Sequence, residues 1–250
     1  MLDLLFAAGL GASLVAVSTI VAGRWGHVIG GVLSAFPLIV GPVLLVAAHR
    51  HGTAFAAQTA AATLLGLIAM SGFVLAYARS ARSFGWRSSL PLAWLAAAVL
   101  GALAGQMETG LVGGLVAATG SLAVAFWALP TRREPSATVL APRWELPVRM
   151  ALTALMIVGI SAAAGQFGPA VAGALAALPT VASVLAVSTH SRHGSEAVLD
   201  LLRGMLGGMT AFVMFCALVA LLVEPAGVAA AFVLATAAAV IFSASVARGW

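Results

Sequence analysis

Residues 23–52, GRWGHVIGGVLSAFPLIVGPVLLVAAHRHG, recur 142 positions later as residues 165–194, GQFGPAVAGALAALPTVASVLAVSTHSRHG. Nine of the thirty ungapped pairs are identical, among them Gly26 with Gly168, Gly31 with Gly173, Leu33 with Leu175, Pro37 with Pro179, and Arg50-His51-Gly52 with Arg192-His193-Gly194. Shared apolar composition alone would give about three. The chain is therefore read as an internal duplication, and its fold has to build the same unit twice.

That unit is too apolar for water. The chain is 62% hydrophobic and 8% charged, with a mean hydropathy of +1.12. This is more apolar surface than a soluble domain of 250 residues can hide. Strand alternation is absent, and a closed barrel would need polar lumen positions that the sequence lacks. The expected class is an all-α integral membrane protein. A run of about 20 apolar residues crosses a hydrocarbon core of about 30 Å. The runs and their punctuation predict about nine transmembrane helices, over residues 4–22, 27–48, 54–78, 90–105, 111–129, 147–164, 168–189, 197–223 and 226–246. The first lacks a basic leading region and carries Asp3, so it is expected to be a retained span rather than a cleaved signal. Residues 131–146, bounded and interrupted by Pro130, Pro135 and Pro142, form the one long polar connection. The expected units are a first four-helix repeat over 1–108, an inverting linker helix with a cytoplasmic loop over 109–146, and a second four-helix repeat over 147–250.

The arginines give the orientation. With alternate loops taken together, Arg24, Arg79, Arg82, Arg87, Arg132, Arg133, Arg143, Arg149, Arg192, Arg203 and Arg248 fall on one side and Arg50 alone on the other. The positive-inside rule then places the N-terminus outside and the C-terminus in the cytoplasm. The second copy is displaced by five spans, an odd number, so the two copies run in opposite directions through the membrane. The expected architecture is a 4+1+4 inverted-topology repeat, a plan found in transporters with a site near the midplane. The basic balance is topological and does not point to nucleic acid, because no basic run is interleaved with aromatics.

Each copy carries glycines ahead of a G-x-x-x-x-x-P motif (Gly31 to Pro37, Gly173 to Pro179), then an apolar helix, a short polar turn ending in Gly52 or Gly194, and a further apolar helix. In this pattern the chain resembles two fused, inverted copies of the GlpM family, small four-helix bacterial inner-membrane proteins linked to alginate production. The resemblance covers roughly residues 1–106 and 147–248 and implies a multi-pass protein of the bacterial inner (plasma) membrane. The plan of fused antiparallel units is also similar to that of fused fluoride channels, but neither copy carries their threonine-rich break in the third helix.

Candidate site residues cluster at the two prolines. Pro37 and Pro179 each lie about 15 Å into a span, near the bilayer centre, and each lacks an N–H, which is expected to free the carbonyl of Leu33 or Leu175 one turn earlier. Ser34, Gly41, Thr180 and Ser183 add hydroxyls and flexibility around these breaks. Two readings stand side by side: a pair of packed kinks, or a substrate site between the repeats. At the cytoplasmic end of the eighth span, Glu196, Asp200 and Arg203 share one helix face at i, i+4 and i+7. They read either as a snorkelling arginine with a local ion pair or as a vestibule that recruits a small polar or anionic solute. The pairs Gly26 to Gly30, Gly101 to Gly105, Gly110 to Gly114 and Gly204 to Gly208 are G-x-x-x-G spacings that suit close helix packing.

No nucleophile–base–acid constellation, phosphate loop or metal-ligand spacing occurs, so neither an enzyme, a metal nor a cofactor is expected. The lone Cys216 lies in an apolar run and excludes a disulfide framework. Two functions follow: a small-solute membrane transporter or channel with a site between the repeats, or a non-transporting membrane component that supports envelope polysaccharide biosynthesis by binding a partner. The lipid bilayer is a partner in both.

Overall fold

The computed structural model describes residues 2–25, 39–107, 109–131 and 145–248, with Ile29 and Val32 described singly. These residues form helices and no strand. In chain order the helices are α1 (Leu2–Trp25), α2 (Val40–His51), α3 (Thr53–Ser80), α4 (Trp86–Ala104), α5 (Leu111–Ala128), α6 (Glu145–Ala176), α7 (Thr180–Leu222) and α8 (Gly227–Arg248). Five stretches are long and apolar enough to cross a membrane: α3, α4, α5, residues 146–222 and most of α8. The 77-residue stretch is far longer than one crossing needs. Non-helical glycines at Gly168 and Gly194 and the gap between α6 and α7 divide it.

Single glycines make these divisions. Gly52, between α2 and α3, has φ 91° and ψ 169°; Gly168 inside α6 has φ 82° and ψ −179°; Gly194 inside α7 has φ 81° and ψ −173°. A Cβ is poorly tolerated in this region, so one glycine changes the direction of the helix without a longer loop. Gly52 and Gly194 are one of the identical pairs between the two matching sequence stretches, and their backbones match. The helix after each also matches: α3 ends at Ser80 and α7 at Leu222, 142 positions apart.

The non-helical glycines Gly168 and Gly194 fall at the divisions expected between residues 164 and 168 and between 189 and 197. The structure differs from the sequence expectation inside the helix expected over 168–189, which is broken at Ala177–Pro179.

Helix α3 and the second leg of α7, residues 195–222, form the centre. Helix α3 packs against α2, α4, α5, α6 and α7, and its Leu64, Leu67, Phe73 and Tyr77 are fully buried, as are Leu202, Met205, Leu206 and Cys216 of α7. Helices α4, α5 and α8 are different, with only 22% of their apolar windows inside the protein, against 61% for α3. Their outward faces carry Leu95, Leu103, Val112, Val116, Val233, Leu234 and Ile241, all more than half exposed. Such a belt would drive association in water; against lipid tails it is matched to its solvent.

With no solvent-driven force between spans, close backbone approach and polar satisfaction hold helices together. A Cβ added at Gly173, in the second leg of α6, would stand 2.7 Å from Thr59 O, Ala62 Cβ and Thr63 N of α3. One added at Gly66 of α3 would stand 2.5 Å from Ala177 Cβ. The two helices therefore cross at backbone contact through small residues spaced by four, Gly173 and Ala177 on one side, Ala62 and Gly66 on the other. The hydroxyls buried along α3 are satisfied within their own helix. Thr59 donates to Phe55 O, Thr63 to Thr59 O and Ser71 to Leu67 O, each at 2.8 Å, while Ser71 also lies 3.3 Å from Ser121 Oγ on α5.

Candidate functional site at the broken helix

Pro179 breaks the chain between α6 and α7 by removing one N–H and by disfavouring helical backbone in the residue before it. The last turn of α6 tightens first: Ala177 N–H donates to Ala174 O at 3.3 Å and Leu178 N–H to Leu175 O at 3.2 Å, both i→i−3 bonds. This corrects one expectation. The Leu175 carbonyl is not freed by the proline, because the tightened turn supplies it with the Leu178 N–H. Pro179 itself adopts φ −79° and ψ 41°, and α7 starts anew at Thr180 with Ser183 N–H on Pro179 O at 2.9 Å.

A side-chain relay fixes the restart. Ser183 Oγ donates to Pro179 O at 2.6 Å, and the indole Nε1–H of Trp94, on α4, donates to Ser183 Oγ at 3.0 Å. Pro179 is buried and Thr180 and Ser183 are half-buried. The Thr180 hydroxyl is shut away from solvent and meets no hydrogen-bond partner among the described residues. Since an unmet buried hydroxyl is costly, a polar group brought to this break would find a donor waiting beside the N-terminal end of a helix.

The structure thus brings together Pro179, Thr180 and Ser183 and adds Trp94, which sequence reasoning missed. A tryptophan in an apolar run carries no sign of which neighbour its N–H will meet. Ser34 and Pro37 lie outside the described residues. Gly41, in the first turn of α2, faces the core: a Cβ there would stand 3.7 Å from Phe215 Cζ of α7, an ordinary packing distance.

The charged residues gather at one end of the bundle. Arg82, at the end of α3, pairs with Glu196 of α7 at 3.1 Å, its Nε also donating to Oε1 at 3.1 Å, and it donates to Thr131 O. Arg79 donates twice to Ala128 O at 3.3 Å, and Arg203 donates to Pro130 O at 3.2 Å. Three arginines therefore supply donors to carbonyls at and beyond the C-terminal end of α5, where a helix leaves its carbonyls unbonded and its dipole favours cations. Tyr77 Oη lies 3.4 Å from His190 Nδ1 at the same end. The residues of the expected vestibule take these places. Glu196 reaches across to Arg82, two residues past α3, Asp200 is 5% exposed, and Arg203 donates to Pro130 O, two residues past α5. Arg149, counted from sequence among the end arginines, is also buried, at 2% exposure.

At the opposite end the His51 ring lies near Gly165, where an added Cβ would be 3.6 Å from His51 Cε1. Phe6, His49 and Val228 line one pocket there, of about 640 Å³. Among the described residues, no group of three or more His, Cys, Asp or Glu side chains is placed to hold a metal ion. Comparison of the chain with protein-family models, with characterised proteins and with solved structures finds no match in any of the three.

Proposed function

We propose that this chain is a small-solute membrane transporter or channel, built as a nine-span 4+1+4 inverted repeat that resembles two GlpM-like units, with its site at the broken helices. The observation that carries the reading is the break at Pro179, where a helix restarts inside an apolar bundle beside a buried Thr180 hydroxyl that meets no hydrogen-bond partner among the described residues. Discontinuous helices whose half-helix ends face a solute are the recurring device of such repeats. Residues 146–167, 168–193 and 195–222 then count as the sixth, seventh and eighth spans. The matched conformations of Gly52 and Gly194 support the duplication.

The end-to-end sorting supports the orientation. Arg79, Arg82, Glu196, Arg203 and residues 128–131 meet at one end, which the arginine bias makes cytoplasmic. Residues 6, 49, 51, 165 and 228 approach one another at the other end, and all five belong outside in the same scheme. Single cysteines placed at Ser136 and at Gln106, with Cys216 replaced, are expected to react with an impermeant thiol reagent from the cytoplasmic and the external side respectively. Reaction of both from one side would remove the odd span count and with it the inversion.

Transport itself is tested in liposomes. Pro179→Ala is expected to let the helix re-form across the break and to lower solute flux at least tenfold, while the protein still elutes as a single folded species. A panel of small polar and anionic solutes, none of which moves faster through protein-containing liposomes than through empty ones, would leave the break as a packed kink and return the chain to a partner-binding role.

A further inference from the structure

We propose that a groove leading from the lipid face to the Pro179 break is a binding site for one acyl chain of a bilayer phospholipid. The groove, about 330 Å³, lies between α3, α4 and the second leg of α6. Gly66 and Ala69 form its floor, Trp94 and Gly101 one wall, and Ala174 and Leu178 the other. Ala98, Ala170 and Ala174 are exposed, so its rim opens sideways onto the outward apolar face of the bundle. At its inner end Leu178 immediately precedes Pro179.

The chemistry of the lining selects the occupant. Apart from the Trp94 indole N–H, which is already given to Ser183, the lining side chains are apolar. No charged side chain lines it. A polar solute held here would lose its hydration with little in return, whereas a hydrocarbon loses nothing by leaving its neighbours in the bilayer. The walls are mostly alanine and glycine, and where larger side chains would have closed the space a slot is left that lipid can fill.

Size excludes the bulkier candidate. From Trp94 to Gly105 the groove follows α4 for eleven residues, about 16 Å at the helical rise. Its whole free space, open mouth included, is about 930 Å³; spread over that length this gives a section of at most about 60 Å², room for an extended hydrocarbon chain and too narrow for a helix about 10 Å across. A second copy of the protein could cover the mouth with a helix but could not seat that helix inside. The proposal rests on the membrane setting alone and not on transport, so lipid labelling and solute flux report on it separately.

The full-length protein, reconstituted in phosphatidylethanolamine and phosphatidylglycerol vesicles with a trace of phosphatidylcholine bearing a mid-chain diazirine, is irradiated and its adducts mapped by mass spectrometry. Adducts at Ala97, Gly101, Ala174 and Leu178 are expected to exceed those on the outward face of α8, at Val233, Leu234 and Val240, at least fivefold. Ala98→Trp and Ala174→Leu, which fill the slot from its rim, are expected to bring the groove adducts down to the α8 level, and Ala98→Gly to leave them high. Wild-type groove labelling no higher than that of α8 would overturn the proposal. So would labelling unchanged by both filling variants in protein that elutes as the wild type does, or groove labelling replaced by protein–protein crosslinks as the protein density in the vesicles is raised.

Discussion

Gly173→Ala is expected to lower stability by about 3 kcal/mol, the upper end of the usual range for overpacking, and Gly173→Leu to leave no folded protein. The added Cβ would meet Thr59 O and Thr63 N at 2.7 Å, backbone atoms of a helix that cannot step aside without moving the whole crossing. Gly66→Ala presses on a methyl instead, Ala177 Cβ at 2.5 Å, and that methyl can be removed. The double variant Gly66→Ala with Ala177→Gly is therefore expected to recover most of the loss, with a coupling of more than about 1 kcal/mol, as for residues in direct contact. Gly159 serves as the control: it lies in α6 with nothing within 4 Å of an added Cβ, and Gly159→Ala is expected to be neutral or stabilising by up to about 1 kcal/mol. Unfolding midpoints in mixed detergent would measure the series. Equal losses at Gly159 and Gly173 would mean that helix flexibility, not the α3–α6 crossing, is what these glycines supply.

Gly52→Ala and Gly194→Ala are each expected to cost about 1–3 kcal/mol through backbone strain alone. Both glycines have positive φ with extended ψ, and an added Cβ at either meets nothing within 4 Å. Space is not what the position requires; the dihedral is. Serine is therefore expected to cost about as much as alanine at these two sites, whereas at Gly173 the loss grows steeply with side-chain size. The same assay separates the two mechanisms, and a steep size dependence at Gly194 would contradict the backbone account.

Pro179 shows how far the sequence reaches. A missing N–H is a property of the residue, so a break at Pro179 was legible from composition and position alone. What the neighbouring carbonyls do depends on how the preceding turn relaxes, and the tightened turn that occupies Leu175 O could not be read in advance. Trp94 is a sharper case. Its N–H must find an acceptor in an apolar setting, but Ser183 is 89 positions away and reaches it only through the packing of α4 against α7. The charges behave likewise. Spacing put Glu196, Asp200 and Arg203 on one helix face, and tertiary contact then drew Glu196 to Arg82, 114 positions distant, because two helices end side by side.

The sequence by itself determined the helical, membrane-compatible class and the places where helices bend or break, since each follows from local quantities: apolar run length, and glycines and prolines whose backbone preferences are intrinsic. Only the tertiary structure decided which glycines serve a dihedral and which serve a close crossing, which arginines close the end of α5, and where small side chains leave a slot open to the lipid. Those outcomes depend on which helix faces which, and in a chain with so little polar patterning every face of a span reads alike until the neighbours are in place.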